Sequence, residues 1–255
     1  MSTVFFLFLL HLSLGVLATL LLVPERAGAK FFKFCSGAAA FMTTAGLWLL
    51  YRRSGLAEGP LLLAAGAFLV LTVVYNRAWH FGWSGRSPLL LATLAAGAAA
   101  TLAAPGAGPR PLLAATDLSS ALLLGAAASA MVLGHWYLVV LDLPIQALRR
   151  LTVLLAVALG LRALVVAVVL AGPVRAGLAE MLAVAAGLWS PDGVFVWMRL
   201  LFGIAGPASL LWFIWKTVEI RSTQSATGIL YVQLFLVLAG ELLAKYLRVA
   251  AGFPL

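Results

Sequence analysis

The side chains of this sequence that could do acid–base or ligand chemistry stand inside long apolar runs and fall into two groups. His11, Asp117, Arg162, Arg199 and Glu241 make up the first. His80, His135 and Asp142 make up the second, with Arg77, Trp79, Trp83, Trp136 and Tyr137 around them. A carboxylate beside arginines can hold or pass a proton, and a histidine can shuttle a proton or ligate haem iron. The longest such run, Ser119–Pro144, reads SSALLLGAAASAMVLGHWYLVVLDLP. At helical spacing Ala128, Met131, His135 and Asp142 share one stripe, so a featureless apolar face ends in aromatic, protonatable and acidic groups.

The elements that carry these residues follow from composition. The chain has 255 residues, of which 64% are hydrophobic and 10% charged, with a mean hydropathy of +1.10. Soluble domains carry about 25% charged residues, so this chain cannot cover a water-facing surface. It reads as all-α, a single transmembrane domain over 1–255, with the lipid bilayer as its surroundings. Eight apolar spans are long enough to cross as helices, at about 3–23, 31–51, 60–75, 88–104, 118–141, 149–171, 194–215 and 225–247. The formal charge of +9 comes mostly from Lys and Arg in short loops between spans, which encodes topology and excludes nucleic acid as the partner.

Eight spans put both ends of the chain on one side. The opposite loops hold Arg26, Lys30, Lys33, Arg77, Arg86, Arg149, Arg150, Lys216 and Arg221. The side of the termini holds Arg52, Arg53, Arg110, Arg175, Lys245 and Arg248. The positive-inside rule therefore predicts both termini outside, in a bacterial cytoplasmic membrane. Met1–Val4 lacks a basic residue and the following apolar run exceeds a signal core, so the first span is expected to be retained. Cys35 lies within a span as a small buried hydrophobe, and no metal cluster is expected.

Thr93, Gly97 and Thr101 repeat the small-xxx-small spacing that lets helices approach closely. Pro105–Pro111 is a turn, and Ala176–Trp189, which contains Glu180, is expected to lie along the surface as an interfacial helix. Gly203, Gly206 and Pro207 should bend the seventh span.

Ionisable groups at bilayer depth are costly enough that each needs a reason. Glu241, Lys245 and Arg248 share a face, where Glu241 can pair with Lys245 while Lys245 snorkels to the interface. The sharper alternative is a polar pocket in the outer half, with Asp117 at the start of span five, suited to a quinone head group or a proton path. In the inner group, Trp and Tyr are expected to anchor at the boundary, while His135 and Asp142 could line a cavity. Haem is disfavoured, because His11 lies about 12 Å and His135 about 25 Å below the outer boundary and cannot share one iron, while His80 with His135 is left as a pair that would put a haem at the inner rim.

The last span, LVLAGELLAKYLRVAAGFPL with Gly240-Glu241-Leu242, resembles the last helix of DMSO-reductase-type membrane anchor subunits. That resemblance implies a cofactor-free, quinol-oxidising membrane subunit that passes electrons to an iron–sulfur partner. The segments GHWYLV and RSTQSATGILYV also look family-like, with no function attached. The function expected is thus a membrane subunit of a bacterial respiratory or redox complex, with quinone as substrate and an iron–sulfur or cytochrome subunit as partner. The alternatives are a small-solute permease, with Arg162 facing an anionic solute, and a b-type haem protein. No nucleophile, metal cluster or phosphate loop suggests a membrane-embedded enzyme. Glu241 and His11 are the expected proton-handling groups. Glu241→Gln is expected to stop quinol-dependent transfer with folding intact, and Arg162→Gln to matter less.

Overall fold

The computed structural model describes residues 1–106, 109–140, 143–176 and 193–250, with the side chains of 172–176 excepted. The helices are α1 (Ser2–Thr19), α2 (Ala29–Ser54), α3 (Gly59–Phe81), α4 (Arg86–Ala103), α5 (Arg110–Trp136), α6 (Gln146–Ala176), α7 (Gly193–Leu200), α8 (Gly206–Glu219) and α9 (Thr223–Ala250). A π-helical turn, Leu201–Ala205, joins α7 to α8. Eight of the helical stretches are long and apolar enough to cross a membrane, with α7, the π turn and α8 counting as one. The chain is a multi-pass, all-α membrane bundle.

Helices α1 and α5 are its axis. Their sequences are apolar nearly all round, as buried helices must be, and they touch each other along their length. Small residues make this crossing close. A Cβ on Gly15 would lie 1.8 Å from the Ala121 carbonyl oxygen, and one on Gly125 would lie 2.0 Å from the Gly15 carbonyl carbon. Backbone therefore meets backbone, which lipid-immersed helices achieve only with glycine-sized residues. Thr19 and Ser129 share a buried hydrogen bond of 2.5 Å across the same interface.

Two flanks complete the bundle. Helices α2, α3 and α4 form one, with α2 and α4 against α1; α6, α8 and α9 form the other, with α6 and α9 against α5. Gly97 opens the slot that α4 fills, since a Cβ there would meet Leu14 and Phe68 at 2.8 Å. Thr93 and Thr101 are buried on the same face.

Two boundaries differ from the sequence expectation with a consequence for the candidate residues. The third span runs to Phe81, so Trp79 and His80 belong to α3 instead of a loop. The fifth begins at Arg110 and ends at Trp136, which places Asp117 two turns inside the helix and not at its start. The seventh carries the π turn where Gly203, Gly206 and Pro207 predict a bend. Pro207 has no N–H to offer the preceding turn, so regular α-helical pairing cannot continue there. Asp142 and the proposed interfacial helix at Ala176–Trp189, apart from Ala176 itself, lie outside the described residues.

Candidate functional site

The polar residues of α5 and α9 build the site. On α5, Thr116, Asp117 and Ser120 lie within about one helical turn of each other; on α9, Glu241, Lys245 and Arg248 follow at i, i+4 and i+7. The two helices pack together, so the stripes meet. All six residues are buried, and Glu241 is 0% exposed. Arginines from α6 and α7 then close on the carboxylate.

Arg162 Nε donates to Glu241 Oε1 at 2.9 Å and its Nη2 to Oε2 at 3.2 Å, a two-pronged pairing. Its Nη1 donates to the Thr116 carbonyl at 3.1 Å. Arg199 Nη2 donates to Glu241 Oε1 at 2.8 Å. Ser120 Oγ donates to Oε2 at 2.5 Å and accepts from Lys245 Nζ at 2.8 Å, while Lys245 stands 3.9 Å from Glu241. Lys245 therefore does not snorkel to the interface; it is 1% exposed and held by Ser120. A charge this deep keeps its proton donors satisfied or loses stability, and the serine supplies the acceptor.

A second carboxylate continues the network. Asp117 accepts from Arg248 Nη1, whose Nη2 donates to the Pro105 carbonyl at 3.0 Å. His11 Nε2 lies 3.8 Å from Asp117, beyond hydrogen-bonding distance, and neither ring nitrogen has a partner among the described residues. On Arg199, Nε and Nη1 are likewise unpartnered. The structure thus brings His11, Asp117, Arg162, Arg199 and Glu241 into one buried cluster from five helices.

Glycines determine how Arg199 enters. A Cβ on Gly203 would lie 1.6 Å from Arg199 Nη1, and a Cβ on Gly240 would lie 2.2 Å from Gly203 Cα. The π turn and α9 are therefore in backbone contact immediately beside Glu241. π-helical turns inside α-helices occur often at functional sites.

An apolar cavity of about 420 Å³ is lined by Met1, Val4, Phe5, Phe195, Leu242, Leu243 and Tyr246, with none of the charged cluster in its walls. Its walls come from α1, α7 and α9, the helices that carry His11, Arg199 and Glu241. Phe195 is one turn from Arg199, and Val4 is two turns from His11.

The inner candidates are arranged differently. His80 is exposed at the end of α3. His135 is exposed at the end of α5, with Nδ1 3.2 Å from the Tyr231 hydroxyl. The pair lines an aromatic cavity of about 360 Å³ with Phe34, Met131, Val132 and Trp136. His11 packs by Asp117, 18 residues before His135 on α5 and so about 27 Å away along that helix. Those two histidines cannot share an iron. Among the described residues, no group of three or more His, Cys, Asp and Glu could hold a metal ion.

The inner aromatics are more structural than the anchor reading predicts. Trp79 is buried, stacked on Phe32 at 4.1 Å, with the Arg86 guanidinium 4.0 Å above its ring. Trp136 Nε1 donates to the Ala27 carbonyl at 3.0 Å. Tyr137 donates to the Pro144 carbonyl at 2.6 Å and accepts from the Leu148 N–H at 3.3 Å, which fastens α5 to the start of α6. Burial raises its phenol above the ordinary value.

Ser120 and Thr116 were not candidates in the sequence. A hydroxyl stripe around Asp117 on one of the two most buried helices is the signal that points to them. Gln233, fully buried with neither amide atom partnered among the described residues, was also missed. Compared with known proteins, the chain matches no family model, no curated sequence and no solved structure.

Proposed function

We propose that this chain is a membrane subunit of a redox assembly that works at the quinone pool, with the Glu241 cluster as its proton-handling site. The observation that carries the reading is the apolar 420 Å³ cavity walled by the same three helices as His11, Arg199 and Glu241. Quinones need an apolar enclosure for the ring and tail, with a few polar groups at one end. The unpartnered Arg199 Nε and Nη1 and the His11 nitrogens are fully buried, one to two helical turns from the lining residues Phe195 and Val4, and a quinone carbonyl would meet them only after they are uncovered. Both oxygens of Glu241 are already engaged, so its part is to hold Arg162 and Arg199 in place, and His11 is the better proton carrier. An iron–sulfur or cytochrome subunit is the partner this reading requires, and a bacterial cytoplasmic membrane its setting.

A permease for a small anion is the second reading, favoured by the same unpartnered donors on Arg199. One substitution separates the two. Leu243→Trp fills the cavity without altering a charged residue. Quinol-dependent electron transfer in membranes carrying this variant should fall on the order of tenfold or more, with protein level unchanged. An unchanged rate would overturn the quinone reading. If Leu243→Trp is neutral while Arg199→Gln stops uptake of a small anion, the permease reading replaces it.

A further inference from the structure

We infer that the first three turns of α6 form a binding site for one anionic phospholipid. Gln146, Arg149, Arg150, Val153, Leu154 and Val157 follow at i, i+3, i+4, i+7, i+8 and i+11, a single stripe of the helix. Together with Leu22, which closes α1's span, they line an open cavity of about 520 Å³. Its chemistry changes along the axis. The first turn presents an amide and two guanidinium groups, and the next two turns present only aliphatic side chains, with Val153 46% and Val157 58% exposed.

The dimensions suit a lipid. Gln146 to Val157 spans about 16 Å of helix, close to one leaflet of a hydrocarbon core about 30 Å thick. A phosphodiester at Arg149 and Arg150 therefore places an acyl chain along Val153, Leu154 and Val157, against Leu22. A peptide or soluble anion would leave that aliphatic wall bare.

Charge complementarity selects an anionic lipid. Neither arginine forms a salt bridge among the described residues, and the nearby Glu219 is held by Lys216 at 2.9 Å. Arg149 is pre-positioned, with its guanidinium 5.1 Å over the Trp215 ring on α8. Among the first N–H groups of α6, Ala147 donates to the Pro144 carbonyl, Leu148 to the Tyr137 hydroxyl and Arg149 to the Ile145 carbonyl, and the side chains supply the site. Basic pockets between transmembrane helices recognise anionic head groups in this way.

Native mass spectrometry of the whole protein in detergent tests the site, using dioleoylphosphatidylglycerol and dioleoylphosphatidylcholine, which have the same chains. Wild type should retain the anionic lipid preferentially. The double variant Arg149→Gln, Arg150→Gln should lose about tenfold in that retention. Arg150→Gln alone, which leaves the Trp215 contact intact, should lose part of it. The pair Arg52→Gln, Arg53→Gln at the end of α2 should retain lipid as wild type does. Equal retention of both lipids by wild type, equal losses in the two double variants, or full retention in the α6 variant would overturn the assignment.

Discussion

Arg199 occupies the space that a side chain on Gly203 would fill, with its Nη1 1.6 Å from where that Cβ would stand. The arginine runs forward along its own helix, over the π turn, to reach Glu241 on α9. Gly240 permits this by letting α9 approach until a Cβ there would lie 2.2 Å from Gly203 Cα. The glycines and the ion pair are therefore one arrangement.

Gly203→Ala should push the guanidinium off Glu241, and Gly240→Ala should drive two backbones apart. Overpacking costs about 1–3 kcal/mol, and Gly240→Ala should be the worse because backbone cannot rotate away as a side chain can. Thermal unfolding in detergent checks the order of the two variants. If Gly203→Ala lowers the transition more than Gly240→Ala, the approach of α9 is not what limits the site.

The network reverses the expectation that Glu241→Gln leaves folding intact. Removing that charge takes the carboxylate from two buried arginines, Arg162 and Arg199, at a cost of about 3–5 kcal/mol. Arg162→Gln should be similarly damaging, since it removes bonds to Glu241 and Thr116 together. The double variant Glu241→Gln, Arg199→Gln should lose less stability than the two singles summed, with a coupling of about 0.5–3 kcal/mol. Additive losses would mean the charges do not act as a unit.

Tyr137→Phe should loosen the junction of α5 and α6 by about 1 kcal/mol for each hydrogen bond lost. Its raised phenol also has a pH signature. The folded state keeps the proton that the unfolded state gives up, so the Tyr137 contribution is whole below the ordinary tyrosine value and is lost as pH rises past it. Unfolding scans at neutral and strongly alkaline pH should show wild type and Tyr137→Phe drawing together at the alkaline end.

The separation of His11 and His135 along α5 leads us to expect no Soret band in the purified protein. An absorption spectrum decides this directly. A stoichiometric haem spectrum lost in His135→Ala would place an iron at the Tyr231 end and overturn the expectation.

Much of the fold was readable from hydropathy, because lipid imposes one requirement on every span: about twenty apolar residues with their backbone bonds satisfied internally. An irregularity in span seven, found as a π turn, was readable from Gly203, Gly206 and Pro207, and the shared face of Glu241, Lys245 and Arg248 from their spacing. Hydropathy marks where apolar surface stops, not where a helix stops, so α3 and α5 were misjudged at their polar ends. Asp117 thereby changed from an interfacial residue into a buried one.

Which stripe meets which is another matter. Ser120 and Glu241 are bonded although 121 positions apart, and Tyr231 meets His135 across 96. GHWYLV and RSTQSATGILYV stood out in the sequence, yet only packing reveals that they touch, with Thr227 filling the space beside Gly134. Helical periodicity is a local property and gives each polar face its direction. The partner of that face depends on how closely the backbones approach, which Gly15, Gly125, Gly203 and Gly240 decide in three dimensions.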